Sequence, residues 1–501
     1  MKGKKKVCVV GLDGVNAKIL HLMGIKPSVI FTLKSTIPPY TPPAWTSVLT
    51  GVNPGWHGIY SFLKYRGGGE ALNTSWDVMF PRLFEMLAMN GLRSIIINVP
   101  LTYPFNALIR REKYVVVPDW ASPAQTVWPH DLQRRYGEYM VKPPHTITLE
   151  GQHFTRDMRP RDYTNVIYEY LRARIDLYYE LFDNHEWSLF FIVFSETDWV
   201  LHKVPQLLEG RGLNLAWPIL SSIKSFIEHV SSKCDLTLIV SDHGFEHKQV
   251  RINVNAFLAS KGLIRHGYML GRGNIPVIST QKRSRISLPI TKLLRVVQGR
   301  AVSYMLRKDF LRRLLPLTTF VDTKRSIAFM GDSGSWGVYV RRKEHVNYVL
   351  RTLRSMPGVS RVVRANHIYT GPYVDRGPQL ITIPRGGVEL TNGLHGDVVM
   401  PISQGGHEIH GVLAAMGDYE VKYKGSHATV FDVTPTLLHY LGLPLPEICE
   451  GRPILEEQNP THIGHGRLEY LPLFRRARIR ERLRTIRYTY KPQTPVDSSL
   501  Y

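Results

Sequence analysis

The sequence predicts an α/β protein with a mostly parallel central sheet, helices on both faces of it, and an inserted cap region. Three observations carry this expectation. Short β-branched apolar runs alternate with stretches of helical periodicity through the first 260 residues and return after about residue 410. Three aspartates, Asp13, Asp198 and Asp242, each stand at or just beyond the end of such a run. Residues 264–395 break the rhythm and carry a basic cluster, as an insertion would.

The elements follow in order. Val7–Val10 reads as a buried strand. Thr41 reads as an N-cap, Pro42 as the first helical residue and Gly51 as the helix end. Leu83, Phe84, Leu87 and Ala88 form one face of a helix that Gly91 ends, and Ser94–Ile97 make the next strand. Tyr163–Phe182 is a long helix, Leu189–Phe194 a buried strand, Ile219–Val230 helical and Leu236–Val240 a strand. Asn255–Ser260 is helical, Val412–Met416 a strand and Asp432–Leu441 a helix. The order of the strands within the sheet is not legible. The organisation expected is a catalytic core of 1–263 with 396–456, a basic cap at 264–395, and a basic peripheral tail at 457–501.

Composition excludes several classes. With 501 residues, 43% apolar and 21% charged, the chain can bury a large core, so wholesale disorder is excluded. No apolar run approaches the ~18 residues that cross a bilayer. Lys2, Lys4, Lys5 and Lys6 precede an apolar run as in a secretory signal, but Val7–Val10 meets Gly11-Leu12-Asp13 too soon. A cytoplasmic location is expected. Cys8, Cys234 and Cys449 make neither a disulfide framework nor a zinc finger.

The net charge is +23, unevenly placed. Twelve Lys and Arg accompany one acid between Arg265 and Arg313, and eight accompany one acid between Arg475 and Lys491. Such stretches attract nucleic acid or an acidic membrane surface, but they lack the interleaved aromatics of a single-strand binder and read first as solvated faces. Arg307, Lys308, Arg312 and Arg313 alternate with Leu311, Leu314 and Leu315 like the polar side of an amphipathic helix. Were they instead to line a cleft, they would steer anionic substrates.

In open α/β sheets ligands sit outside the carboxyl ends of the strands, where the three aspartates fall. Gathered there they repel one another unless a cation lies between. Histidines accompany two of them: Asp198 and His202 share a helix face at i, i+4, and His243 follows Asp242 in Ser241-Asp242-His243-Gly244. Mixed Asp/His sets without thiols suit zinc, with manganese second. Thr41, at the start of its helix, is either an ordinary cap or a hydroxyl set among unpaired N–H groups that attract phosphate. Metal coordination is one of the few ways to activate such a hydroxyl as a nucleophile.

These residues resemble a family. Gly11-Leu12-Asp13-Gly14, the segment from Thr41 through Gly51-Val52-Asn53-Pro54-Gly55-Trp56-His57-Gly58-Ile59, Asp198-x-x-x-His202 and Ser241-Asp242-His243-Gly244 occur in the order found in the alkaline phosphatase superfamily. The resemblance is to its type I phosphodiesterase/nucleotide pyrophosphatase branch in the prokaryotic form. It covers about 7–105, 188–262 and, more loosely, 320–455. It implies an alkaline phosphatase-like fold, two zinc ions and a covalent phospho-threonine at Thr41. One metal takes Asp13, Thr41, Asp242 and His243; the other takes Asp198, His202 and a late histidine. His407 in Gly405-Gly406-His407 matches that last position best, with His395, His410 and His427 as competitors. His57 is implied to be structural. The implied reaction is hydrolysis of phosphodiester or pyrophosphate bonds in a nucleotide-like or other small phosphate ester. Phe62 departs from the pattern, since nucleotide pyrophosphatases of the branch carry a phosphate-binding asparagine there. A phosphomonoesterase, a phosphonate hydrolase and a phosphoglycerate mutase-like enzyme are the alternatives within the fold. A polyanion-binding protein using the basic surface is the alternative outside it.

Overall fold

The structure, a computed structural model, describes residues 5–66, 69–144, 158–270, 317–416, 421–423, 427–457 and 466–489. The cluster Arg307, Lys308, Arg312 and Arg313 lies outside the described residues.

An eight-stranded sheet forms the centre. In chain order its strands are β1 (Val7–Leu12), β2 (Val29–Lys34), β3 (Ser94–Val99), β4 (Tyr114–Pro118), β5 (Leu189–Phe194), β6 (Leu236–Val240), β7 (His410–Met416) and β8 (Ala428–Thr429). They lie side by side as β8-β2-β7-β6-β1-β5-β3-β4. Only β7 runs antiparallel to its neighbours, β2 and β6; the remaining pairs are parallel.

Both faces are covered, which is why the strands read as unbroken apolar runs. Cys8, Val10 and Leu12 of β1 join Phe190, Ile192 and Phe194 of β5 in one core, while Val7, Val9, Leu189, Phe191 and Val193 point into the other. The helices used below are α1 (Thr41–Thr50), α2 (Leu83–Met89), α3 (Pro160–Asn184), α4 (Glu196–Lys203), α5 (Leu213–Ser231), α6 (Val433–Tyr440) and α7 (Tyr470–Thr489). α3 and α5 cover the first face, with Ile167, Tyr170, Leu171, Leu177, Tyr178 and Leu181 of α3 at helical spacing. α1, α2 and α6 cover the second.

One local expectation is corrected. Tyr40, extended at φ −136° and ψ 134°, is the N-cap of α1, and Thr41 is its first helical residue. Pro42 and Pro43 bring no N–H, and Ala44 N–H already bonds to Tyr40 O. The helix start therefore does not present the group of free N–H donors expected around the Thr41 hydroxyl.

Two further layers frame the site. Gly244–Asn253 forms a long antiparallel ribbon with Val399–Glu408 and a parallel pair with Val388–Thr391. Ala328–Met330, Gly337–Val340, Leu380–Pro384 and Val359–Arg364 make an antiparallel four-stranded sheet backed by the helix Val346–Arg354. Its apolar cluster also takes in Val254, Phe257 and Leu258 of the preceding helix. From the far C-terminal part, Tyr470, Leu471 and Phe474 of α7 are buried in the second core.

Candidate metal centre and catalytic site

The parallel strands β1, β5 and β6 end side by side, and each delivers one acid. Asp13 follows β1 directly, Asp242 lies two residues past β6, and Asp198 sits in the first turn of α4, just after β5. Gly14 must be glycine: its φ is +75°, and a Cβ would meet the Phe245 ring at 2.5 Å. His202 lies one turn after Asp198, with Nε2 3.6 Å from Asp198 Oδ2.

The ribbon brings the late histidine. His407 pairs with Phe245, two residues past His243, and its ring stacks on His243 at 3.9 Å. His407 Nε2 stands 3.2 Å from Asp198 Oδ1 and 3.3 Å from His202 Nε2. Thr41 Oγ1 lies 3.3 Å from His243 Nε2, which is 3.5 Å from Asp13 and 3.4 Å from Asp242. All seven residues singled out in the sequence thus converge. The competitors do not: His395 and His427 are exposed and outside the cluster, and exposed His410 pairs with Glu408.

The hydrogen-bond network fixes the imidazole tautomers. His202 Nδ1 donates to Gly405 O, His407 Nδ1 to Pro39 O and His243 Nδ1 to Gly244 O. Each Nε2 is therefore left as a lone pair, and all three lone pairs face the carboxylates. Gly405 is needed for this approach, since a Cβ there would meet Leu201 O at 2.1 Å. Consistently, Asp13 Oδ1, Asp198 Oδ1 and Asp242 Oδ2 are buried and accept no hydrogen bond among the described residues. Acceptors facing acceptors in a buried space need a shared proton or a metal cation between them. The donor set fits a metal centre, and two overlapping groups meet its spacing: Asp198, His202 and His407, and Asp13, Asp198 and His243.

The electrostatics agree. Burial pushes the Asp13 carboxyl well above the ordinary carboxylate range, and the charges of Asp242 and Asp198 push it further. Burial raises Asp242 too, with Asp198 adding to it. Burial also works to raise Asp198, but positive charge where His202 and His407 face it overcomes this and holds the group down to about 2, the same work a cation placed there would do. Burial, then the nearby His407, lowers His243.

His57 is outside the cluster and wholly buried. Its Nδ1 accepts from Ile59 N–H, so its Nε2 donates to Ser47 Oγ at 3.0 Å, tying the turn after α1 back onto the helix. Burial depresses it from 6.5 to about 3. Between those values the unfolded chain binds one proton more than the folded one. Stability from this group is complete above pH 6.5 and is lost as pH falls towards about 3, with a slope of about 1.4 kcal/mol per pH unit. Urea midpoints measured from about pH 4 to pH 7 should therefore fall less steeply with acid in His57→Gln than in the wild type. Equal slopes would refute this role.

Sequence reasoning missed the outer rim. Tyr40 OH donates to Asp332 Oδ2 at 2.9 Å, bringing the four-stranded layer against the residue before Thr41. Phe62 packs edge-on against Tyr40 and Trp120, and Trp120 against Trp199 beside Asp198. Phe245 lies against the His202 and His407 rings. The phrase Asp242-His243-Gly244-Phe245 was visible, but nothing local showed that its aromatic ring would floor the site.

Comparison with known proteins shows the family to which the chain belongs. The sequence profile described as "Type I phosphodiesterase / nucleotide pyrophosphatase" matches residues 7–412. No curated protein sequence matches the chain. Among solved structures, phosphonoacetate hydrolase from Sinorhizobium meliloti 1021 superposes with a TM-score of 0.50 at 12% identity, over 87% of this chain and 96% of that one. Murine ectonucleotide pyrophosphatase / phosphodiesterase 5 gives 0.49 at 13% identity, over 90% of this chain and 100% of that one. No helix among the described residues is long and apolar enough to cross a membrane. The chain belongs to the type I phosphodiesterase/nucleotide pyrophosphatase family and is a hydrolase of phosphoester bonds.

Proposed function

We propose that the protein is a metal-dependent phosphoesterase that hydrolyses a diester or pyrophosphate of a nucleotide-like or other small substrate through a phospho-threonine at Thr41. The observation carrying this reading is the convergence of three histidine lone pairs and three unsatisfied carboxylate oxygens beside the Thr41 hydroxyl. Asp13, Thr41, Asp242 and His243 are the proposed ligands of one divalent ion, and Asp198, His202 and His407 of a second. Zn²⁺ suits the set best and Mn²⁺ second. Such ions, when bound, neutralise charge on the phosphoryl oxygens and make a hydroxyl a stronger nucleophile.

The chain's own part begins with Thr41. Its Oγ gives its proton to solvent and bonds to phosphorus in line with the leaving group, whose P–O bond breaks and whose oxygen takes the electron pair and then a proton from solvent. Water then attacks the phosphorus of phospho-Thr41, the Oγ–P bond breaks, and Thr41 is regenerated. The carbonyls of Gly405, Pro39 and Gly244 keep the three rings aimed throughout. The proposed cap at 264–395 contributes Asp332 to the rim of this site.

One observation favours a second reading. Phe62 presents a ring, packed on Tyr40 and Trp120, where an amide would hold a diester's phosphate. Without that amide the preference for a diester loses a support, and a monoester or a phosphonate becomes the competing substrate class. Metal analysis coupled to hydrolysis of nitrophenyl mono- and diesters separates these readings. A zinc-loaded protein faster on the diester is expected. Faster monoester turnover would move the assignment to phosphomonoesterase, and no turnover of any ester with metal bound would overturn the phosphoesterase reading.

A further inference from the structure

The C-terminal helix α7 has two dissimilar faces. Its inner face is locked to the body of the protein. Leu471 and Phe474 are buried in the core, and buried Arg478 donates to Val78 O at 2.8 Å and Trp76 O at 2.7 Å. Glu481, the one acid of the helix, points the same way and pairs with Arg111 at 3.3 Å.

The outer face carries Arg476, Ile479, Arg480 and Leu483, at i, i+3, i+4 and i+7, which makes one continuous stripe. Ile479 is 59% exposed and Leu483 55%, the two most exposed large apolar side chains among the described residues. Leu473, 44% exposed, lies at the edge of the stripe. Arg475, Arg482 and Arg484 lie to its sides and are exposed, but each already has a partner, at Tyr373 OH, over the Trp76 ring and at Glu481 respectively. Arg476 and Arg480 meet no acidic partner among the described residues. Ile479 and Leu483, one turn apart, with Leu473 at the edge, make a small apolar ridge on the solvent side of α7.

We propose that this face of α7 docks the protein on an anionic lipid surface, as a helix lying in the interfacial plane. Aliphatic side chains at the crest enter the acyl boundary, and Arg476 and Arg480 beside them reach the phosphates above. The two forces are complementary to that partner and to few others. Nucleic acid would meet the arginines but leave Ile479 and Leu483 without a role, since bases stack on aromatic rings. A second copy of the chain would set like-charged arginines against each other. Because Arg478 and Phe474 hold the inner face, the stripe is presented preformed, and docking needs no folding step.

The test uses the full-length protein and vesicles of phosphatidylcholine alone, or with about 30% phosphatidylserine, a composition giving a negative surface. Co-sedimentation with the anionic vesicles, weak with the neutral ones and fading with salt, is the expected result. Replacing Arg476→Gln and Arg480→Gln together should weaken binding roughly 25-fold. Replacing Ile479→Ser and Leu483→Ser together should weaken it on the order of tenfold or more. Melting temperature and turnover of a soluble ester should stay unchanged in both variants, since these residues touch neither the core nor the site. Absence of binding to anionic vesicles overturns the proposal, as does wild-type binding by the serine variant. Binding of a short RNA duplex that is lost in the glutamine variant alone, with no vesicle binding, would assign the face to a polyanion instead.

Discussion

Thr41→Ala is expected to reduce turnover by as much as about 10⁶-fold, the scale of loss when a covalent nucleophile is removed. The structure makes this a clean substitution. Thr41 is the first residue of α1, and the cap position belongs to Tyr40, so no capping hydrogen bond is lost. Alanine is the better helix former, and what disappears is a hydroxyl 3.3 Å from His243 Nε2. Melting temperature should therefore stay close to that of the wild type while catalysis collapses. Thr41→Ser keeps a hydroxyl in place and should retain measurable turnover. Mass spectrometry of rapidly quenched wild-type enzyme should find a phosphoryl group on the peptide containing Thr41. An alanine variant with wild-type kcat would leave Thr41 with no chemical part.

Stripping divalent ions should abolish activity and lower the melting temperature on the order of 10 °C relative to protein saturated with Zn²⁺. The cause is the crowding of acceptors at the strand ends. Asp13 Oδ1, Asp198 Oδ1 and Asp242 Oδ2 are buried without a donor, and burial already drives Asp13 and Asp242 towards their protonated forms. A cation displaces those protons and gives the oxygens a partner, so its binding free energy adds to folding free energy. Calorimetric titration in buffers of different ionisation enthalpy should detect proton release on loading. His407→Ala should weaken metal retention while Asp13, Asp242 and His243 stay in place. Melting curves that superpose with and without Zn²⁺ would show that no ion completes this cluster.

The core was legible because its signals are local. Leu189–Phe194 and Leu236–Val240 emerge with the bounds read from the sequence, since strands buried on both faces are continuous apolar runs. The helix read at Tyr163–Phe182 extends to Pro160–Asn184 because its ends are polar and carry no periodicity. β2 was missed: its residues alternate between buried and exposed, and it is an outer strand held by β7 and the two-residue β8. The ribbon of Gly244–Asn253 with Val399–Glu408 was missed for a related reason, as its polar side chains conceal a pairing between segments far apart in the chain. The candidate ligands were found through motifs rather than periodicity. Proline at both positions after Thr41 should have tempered the expectation of free N–H groups. The Tyr40–Asp332 contact could not have been read, because nothing local joins two residues 292 apart.

The lone antiparallel strand β7 has a consequence for biosynthesis. It is inserted between β2 and β6, and the ribbon that leads into it carries His407 to a carbonyl 368 residues earlier, that of Pro39. A nascent chain that has emerged only through Gly244 therefore holds an open, largely apolar sheet edge at Leu236–Val240 and a cluster still short of His407. An edge of that kind invites pairing with other chains until it is filled. Closing the sheet and completing the centre are one event, the arrival of residues 399–416 from the ribosome.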